Sequence, residues 1–138
     1  MIAAAAANHL PARALPAIHA VEGGYIGSVH ANSDGSHDLG LMQVNTLWVK
    51  PIARATGLPP QTVAVRLIMN PCFNISAAGA ILGIYMAETH NNIWAAIGDY
   101  HSHTRGLNTV YRMKVMEEAM ALPGAKADTM RRLRRAER

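Results

Sequence analysis

Apolar residues return at three- and four-residue spacing in one stretch after another, and each stretch is closed by glycine or proline. Leu15, Ile18 and Val21 share a helical face, Pro11 and Pro16 are tolerated near its start, and Gly23-Gly24 stops it. Helical patterning resumes at 46–56, closed by Gly57, and at 62–69, where the Pro59-Pro60 break leaves Thr62 as a candidate N-cap. A longer helix is predicted over 74–90, with Ile75, Ala78, Leu82 and Tyr85 on one face and Gly79 and Gly83 letting a neighbour approach closely. Segments 92–100 and 107–122 complete a compact bundle, and Pro123-Gly124 introduces a basic terminal helix over 124–138. Residues 25–38 break the pattern: they are polar, and Asp34-Gly35 is a turn signal able to join two short strands, so a loop or small hairpin is expected there.

A chain of 138 residues is the size of one ordinary domain, so a single domain over 1–138 is expected, with its core at about 10–122. Half of the residues are apolar but only 5% are aromatic, and alanine and methionine are plentiful, which favours helices over a sandwich or barrel. The net charge of +4 suits an anionic partner such as cell wall, nucleic acid or a membrane surface without choosing among them. Much of the excess sits in Arg131, Arg132, Arg134, Arg135 and Arg138, where a solvated helical end competes with anion binding. Cys72 is the only cysteine, so no internal disulfide can form, and a buried, inert thiol is expected. Residues 1–7 are apolar but lack a basic n-region, and no stretch approaches the ~20 apolar residues of a membrane span.

Glu22 is the most informative position. A glutamate that ends a helix is ordinarily a solvated charge. Here it follows an apolar face and precedes two glycines and an aromatic residue. Downstream, the run from Asp38 to Asn45 sets Gln43 and Asn45 among apolar residues. Gln43 could cap a turn and Met42 could fill core; equally, polar amides among apolar neighbours suit a sugar cleft, where N-acetyl and hydroxyl groups need paired donors and acceptors. His101 and His103 are two apart and could share an ion on an extended segment, but two ligands do not make a site and no third is specified, so no metal is expected.

Glu22-Gly-Gly-Tyr, Gly40-Leu-Met-Gln43, the segment from Asn74 to Ala80 and the segment from Ala95 to Tyr100 follow the order and spacing of the soluble lytic transglycosylase domain. The chain resembles that family over roughly 15–115, most closely its short, specialised enzymes that accompany type IV secretion, conjugation or type III secretion. The segment from Asn32 to Gly40 also resembles the region of animal-type lysozymes that carries their second catalytic carboxylate, a position Asp38 would occupy.

The resemblance implies a mainly α, lysozyme-like helical domain with a small irregular or β-hairpin segment beside the active-site cleft. It implies that Glu22 gives a proton to the glycosidic oxygen between N-acetylmuramic acid and N-acetylglucosamine and then takes the muramic 6-hydroxyl proton, closing a 1,6-anhydro product without water, metal or cofactor. Such a donor must stay protonated near neutral pH, which a desolvated site promotes, as it does for the acid of lysozyme. Met42 and Gln43 are implied to line the sugar cleft, Tyr100 to hydrogen-bond near the acid and orient it, and Asn74 to support or cap; Asp38 and His101 are further candidates for the substrate site. His101-Ser102 stands where many relatives have Asn-Ala-Gly, and the loop after Gly24 has no obvious cleft serine, Ser33 and Asn32 being weak candidates. Asp38 leaves a lysozyme-type muramidase open, and a non-catalytic wall-binding or secretion-assembly protein is the alternative from another class. The implied partners are peptidoglycan strands and secretion or conjugation machinery, in the periplasm or cell envelope; nucleic acid is not expected, because apart from the basic tail nothing looks like a groove-reading element.

Overall fold

The computed structural model describes residues 1–124, so the expected basic helix over 124–138 lies almost wholly outside the described residues. The fold is mainly helical and lysozyme-like. The element order is α1 (Ile2–Ala7), α2 (Ala14–Glu22), β1 (Val29–Ala31), β2 (His37–Leu39), β3 (Val44–Asn45), a 3-10 turn (Thr46–Trp48), α3 (Val49–Thr56), α4 (Pro60–Met69), α5 (Pro71–Glu88), α6 (Ile93–His101) and α7 (Arg105–Ala121).

Helix α2 is held by Leu15 and Ile18, both fully buried, at a stabilisation of roughly 2 kcal/mol for each such side chain. It ends because Gly23 takes the left-handed conformation at φ 64° and its N–H donates to the His19 carbonyl at 2.9 Å. That stop leaves Glu22 on the last helical turn. Helices α5 and α7 pack on α2 and α6 packs on both of them, and their Leu82, Val115 and Ile97 are buried in the same core.

The polar stretch after α2 forms a three-stranded antiparallel sheet in the order β1-β2-β3, with Ala31 opposite His37 and Asp38 opposite Asn45. Its first turn is the expected Asp34-Gly35: the Asp34 carboxylate accepts from the Ser36 N–H at 2.9 Å and from its hydroxyl at 2.6 Å, while Gly35 sits at φ 85°.

Several boundaries and environments differ from those expected. The alanine-rich start is helix α1, whose Ala4 and Asn8 lie against Gly79 and Gly83 of α5, the close approach those glycines allow. Helix α4 begins at Pro60 with Pro59 as its N-cap, three residues ahead of the expected Thr62 cap, because proline at N1 needs no N–H partner. Helix α5 begins at Pro71, capped by Asn70, whose side chain accepts from the Phe73 N–H at 3.0 Å. The start places Cys72 in the first turn facing solvent, so its thiol is exposed and not buried as expected. Among the described residues no single helix is long and apolar enough to cross a membrane; α4 and α5 pass by composition only as a pair bent by 106°, and both bury residues in the core.

Candidate active site

A cleft of about 330 Å³ separates the sheet from the helices, with Glu22, Asn32, Asp38, Gln43, Trp48 and His101 among its lining residues. Glu22 projects from the end of α2, and its Oε1 accepts a 2.5 Å hydrogen bond from the Tyr111 hydroxyl on α7. Burial disfavours the anion and lifts the Glu22 pKa to about 7; the Tyr111 bond opposes that rise and the nearby charge of Asp38 adds to it. The negative end of the α2 dipole acts in the raising direction as well. Burial, together with the charge of Glu22 and the bond to it, holds the Tyr111 hydroxyl firmly protonated, so the phenol is a donor throughout the range in which Glu22 titrates.

Asp38 faces the cleft from β2. Its two carboxylate oxygens accept from the side-chain amides of Asn32, at 3.0 Å, and Asn45, at 2.9 Å. Asn45 is itself fixed, because its Oδ1 caps the following 3-10 turn by accepting from the Leu47 N–H at 2.9 Å. The sheet thus presents one carboxylate and two amides as a single bonded unit.

Gln43 lines the cleft from a left-handed backbone position at φ 51°, its amide donating to the Gly40 carbonyl at 2.9 Å and to the Ser28 hydroxyl at 3.1 Å. Ser28, also bonded to Tyr25, is buried beneath the Gly40–Gln43 turn, while Asn32 and Ser33 of the loop after Gly24 line the cleft.

Met42, expected to line the cleft, is 0% exposed and packs in the core. Its side chain is turned inward because its backbone N–H donates to Asn74 Oδ1 at 2.8 Å and its carbonyl accepts from the Tyr100 hydroxyl at 2.9 Å. Tyr100 lines the cleft and its hydroxyl donates to the Met42 carbonyl, while the hydroxyl that bonds Glu22 directly is that of Tyr111. Asn74 is also 0% exposed, outside reach of a ligand, and its amide donates to the carbonyls of Leu39 and Leu67 at 2.8 Å each. Its part is to lock the Gly40–Gln43 turn, where a side chain on Gly40 would collide with the Leu67 carbonyl and the Asn74 amide. Gly24 is similarly pressed against the Gly40 and Leu41 carbonyls, which is why a second glycine must follow Glu22-Gly23.

His101 ends α6 and stacks on Tyr111, with ring centroids 4.5 Å apart and planes 3° from parallel. His103 instead meets the edge of Tyr85, which in turn meets the edge of Trp48. The two imidazoles are therefore directed to different neighbours, and among the described residues no group of three or more His, Cys, Asp or Glu is arranged to hold a metal ion.

Tyr111 escapes notice in the sequence because its partner is 89 residues away. The available signal was a tyrosine four residues before Val115 on the inward face of α7, where a buried hydroxyl requires a polar partner.

A helical bundle closing on a small sheet, with a cleft between them, defines a lysozyme-like fold. The family model described as the transglycosylase SLT domain matches residues 1–119, and the chain belongs to this family. It is similar to invasion protein IagB of Salmonella typhimurium (strain SL1344), 29% identical over 106 residues that cover 74% of this chain and 62% of IagB. It is also similar to protein IpgF of Shigella flexneri, 31% identical over 111 residues that cover 80% of this chain and 69% of IpgF. The chain thus spans a little under two thirds of the length of IagB.

Proposed function

We propose that this protein is a peptidoglycan lytic transglycosylase that cleaves the β-1,4 bond between N-acetylmuramic acid and N-acetylglucosamine, with Glu22 as the proton-transferring residue. The observation that carries this reading is the cleft-facing carboxyl of Glu22, lifted by burial to a pKa of about 7 and gripped by Tyr111. A group that is about half protonated at neutral pH can give a proton and then accept one.

Glu22 protonates the glycosidic oxygen, the C1–O bond breaks, and the N-acetylglucosamine side leaves with that proton on its 4-hydroxyl. The ionised Glu22 then faces the positive charge that develops at C1. It removes the muramic 6-hydroxyl proton as that oxygen bonds to C1, which closes the 1,6-anhydro ring and returns Glu22 to its acid form. Water is not consumed, and no metal or cofactor enters the balance. Asn32, Gln43 and Asn45 offer amides to hydroxyl and N-acetyl groups, Trp48 offers a sugar-facing ring, and the positive chain suits an anionic wall.

A lysozyme-type muramidase is the second reading, favoured by Asp38 standing in the same cleft and acting on Glu22 as a charge. A retaining hydrolase uses such a carboxylate as nucleophile from about 5–5.5 Å. Against that use, both Asp38 oxygens are already engaged by Asn32 and Asn45. A non-catalytic assembly role would leave the desolvation of Glu22 without a purpose, since an idle carboxyl costs least when solvated.

The site of action we infer is the periplasm or cell envelope, and the role is local opening of the wall for a secretion or conjugation machine. The name of the invasion protein among the relatives agrees with that role. Digestion of purified peptidoglycan in water labelled with heavy oxygen tests the reaction. The transglycosylase leaves no label in its new muramic ends, whereas a muramidase introduces one labelled oxygen per cleavage.

A further inference from the structure

His101 is linked to Glu22 through another ring. Its imidazole lies flat on Tyr111, and the Tyr111 hydroxyl is the group that donates to Glu22. We propose that His101 is a positioning residue, whose ring fixes the Tyr111 phenol so that its hydroxyl stays on the Glu22 carboxyl. The role rests on the reading of Glu22 as the acid of the cleft.

Three observations support it. First, the stack is close to parallel, at 3° and 4.5 Å, so the imidazole covers one face of the phenol and limits its swing away from Glu22. Second, the two rings come from different helices whose relative placement is locked one turn away. Asn108, three residues before Tyr111, donates to Asp99 at 2.8 Å and to the Ser102 carbonyl at 3.2 Å. The same Asn108 side chain fills the space that a Cβ on Gly98 would need, three residues before His101. The α6–α7 corner therefore sets the ring-to-ring register before any ligand arrives.

Third, the ring is suited to act by its face more than by its charge. Burial lowers the His101 pKa; Asp38 on β2 opposes that, and Lys114 on α7 reinforces it. Burial thus favours the neutral form of the ring. A neutral imidazole leaves the acid high, whereas an imidazolium beside it would favour the carboxylate. Tyr100, the neighbouring tyrosine on α6, is held protonated by burial and adds no charge to this group.

The test is the midpoint of the Glu22 carboxyl titration, read by carbon NMR in the full chain, in wild type and in His101→Ala, Tyr111→Phe and the double variant. Losing the phenol bond removes a contact that favours the carboxylate, so Tyr111→Phe raises the midpoint by about one pH unit, the scale of one hydrogen bond to a charged acceptor. His101→Ala raises it by a smaller amount, and on the Tyr111→Phe background it changes the midpoint clearly less. An equal shift in both backgrounds, no shift, or a downward shift from water entering the site overturns the proposal. His101→Phe keeps a flat ring and is expected to hold the wild-type midpoint; a rise as large as that of Tyr111→Phe also overturns it, and this variant decides the matter if His101→Ala does not fold. Because no step reads cleavage, failure of the lytic assignment shows separately, as absence of anhydro product from wild type.

Discussion

The two walls of the cleft each hold out a carboxyl group, and each treats it differently. On the helical wall Glu22 is partly buried and given one phenol donor. On the sheet wall Asp38 is tied by two amides that belong to the same three-stranded unit. Desolvation by packed helices makes an acid that holds its proton, while a short, polar sheet makes a fixed negative neighbour. The difference follows from the kinds of residue each wall can contribute: Leu15, Ile18, Ile97 and Val115 on one side, Asn32, Ser36 and Asn45 on the other.

The comparison breaks most completely at Glu22. Glu22→Gln keeps size and shape but cannot cycle a proton, and the expected loss of cleavage is about 10²–10⁴-fold, with the fold and glycan binding retained. Rates on purified peptidoglycan and a co-sedimentation assay check this pair of outcomes.

Next in size is Asn74, which ties β2 and the Gly40–Gln43 turn to α4. Asn74→Ala would leave the Met42 N–H and the carbonyls of Leu39 and Leu67 without their partner, at a cost of about 3 kcal/mol or more in urea unfolding. A loss near zero would mean that the turn from Gly40 to Gln43 holds itself.

The pH dependence of stability sharpens the contrast. A carboxyl whose pKa is raised on folding binds its proton more tightly in the native state, so its contribution is full below the unfolded value and fades as pH climbs through the folded one. Wild type should therefore lose up to about 3 kcal/mol between pH 4.5 and 7 from Glu22 alone. The Glu22→Gln variant lacks this slope and should be the more stable of the two at pH 8. Parallel stability curves for the two proteins would show that Glu22 is not desolvated.

The smallest effect belongs to Asp38. Asp38→Asn removes a charge that raises the Glu22 pKa, so the alkaline limb of the cleavage profile should move down by a fraction of a pH unit. Anhydro product should still form. A loss as deep as that of Glu22→Gln would instead make Asp38 a nucleophile and the protein a muramidase.

Much of the helical wall was legible in the sequence, because glycine and proline breaks mark helix ends locally and Glu22-Gly23 is such a break. The hairpin was legible from Asp34-Gly35 for the same reason. Less legible were α1, whose alanines carry no apolar periodicity to follow, and the start of α4, where a second proline at N1 replaces a side-chain cap. Within the site, the inward turn of Met42 was not legible, because it depends on bonds to Asn74 and Tyr100, 32 and 58 residues away. Tyr111 and its stack with His101 depend likewise on how α6 and α7 cross, which periodicity does not report.

The most direct test of the proposed chemistry is mass spectrometry of the muropeptides released from purified peptidoglycan by wild type and by Glu22→Gln. Products lighter than hydrolytic ones by one water, present with wild type and absent with the variant, are expected. Reducing-end products, or anhydro products that persist in Glu22→Gln, would contradict a transglycosylase driven by Glu22.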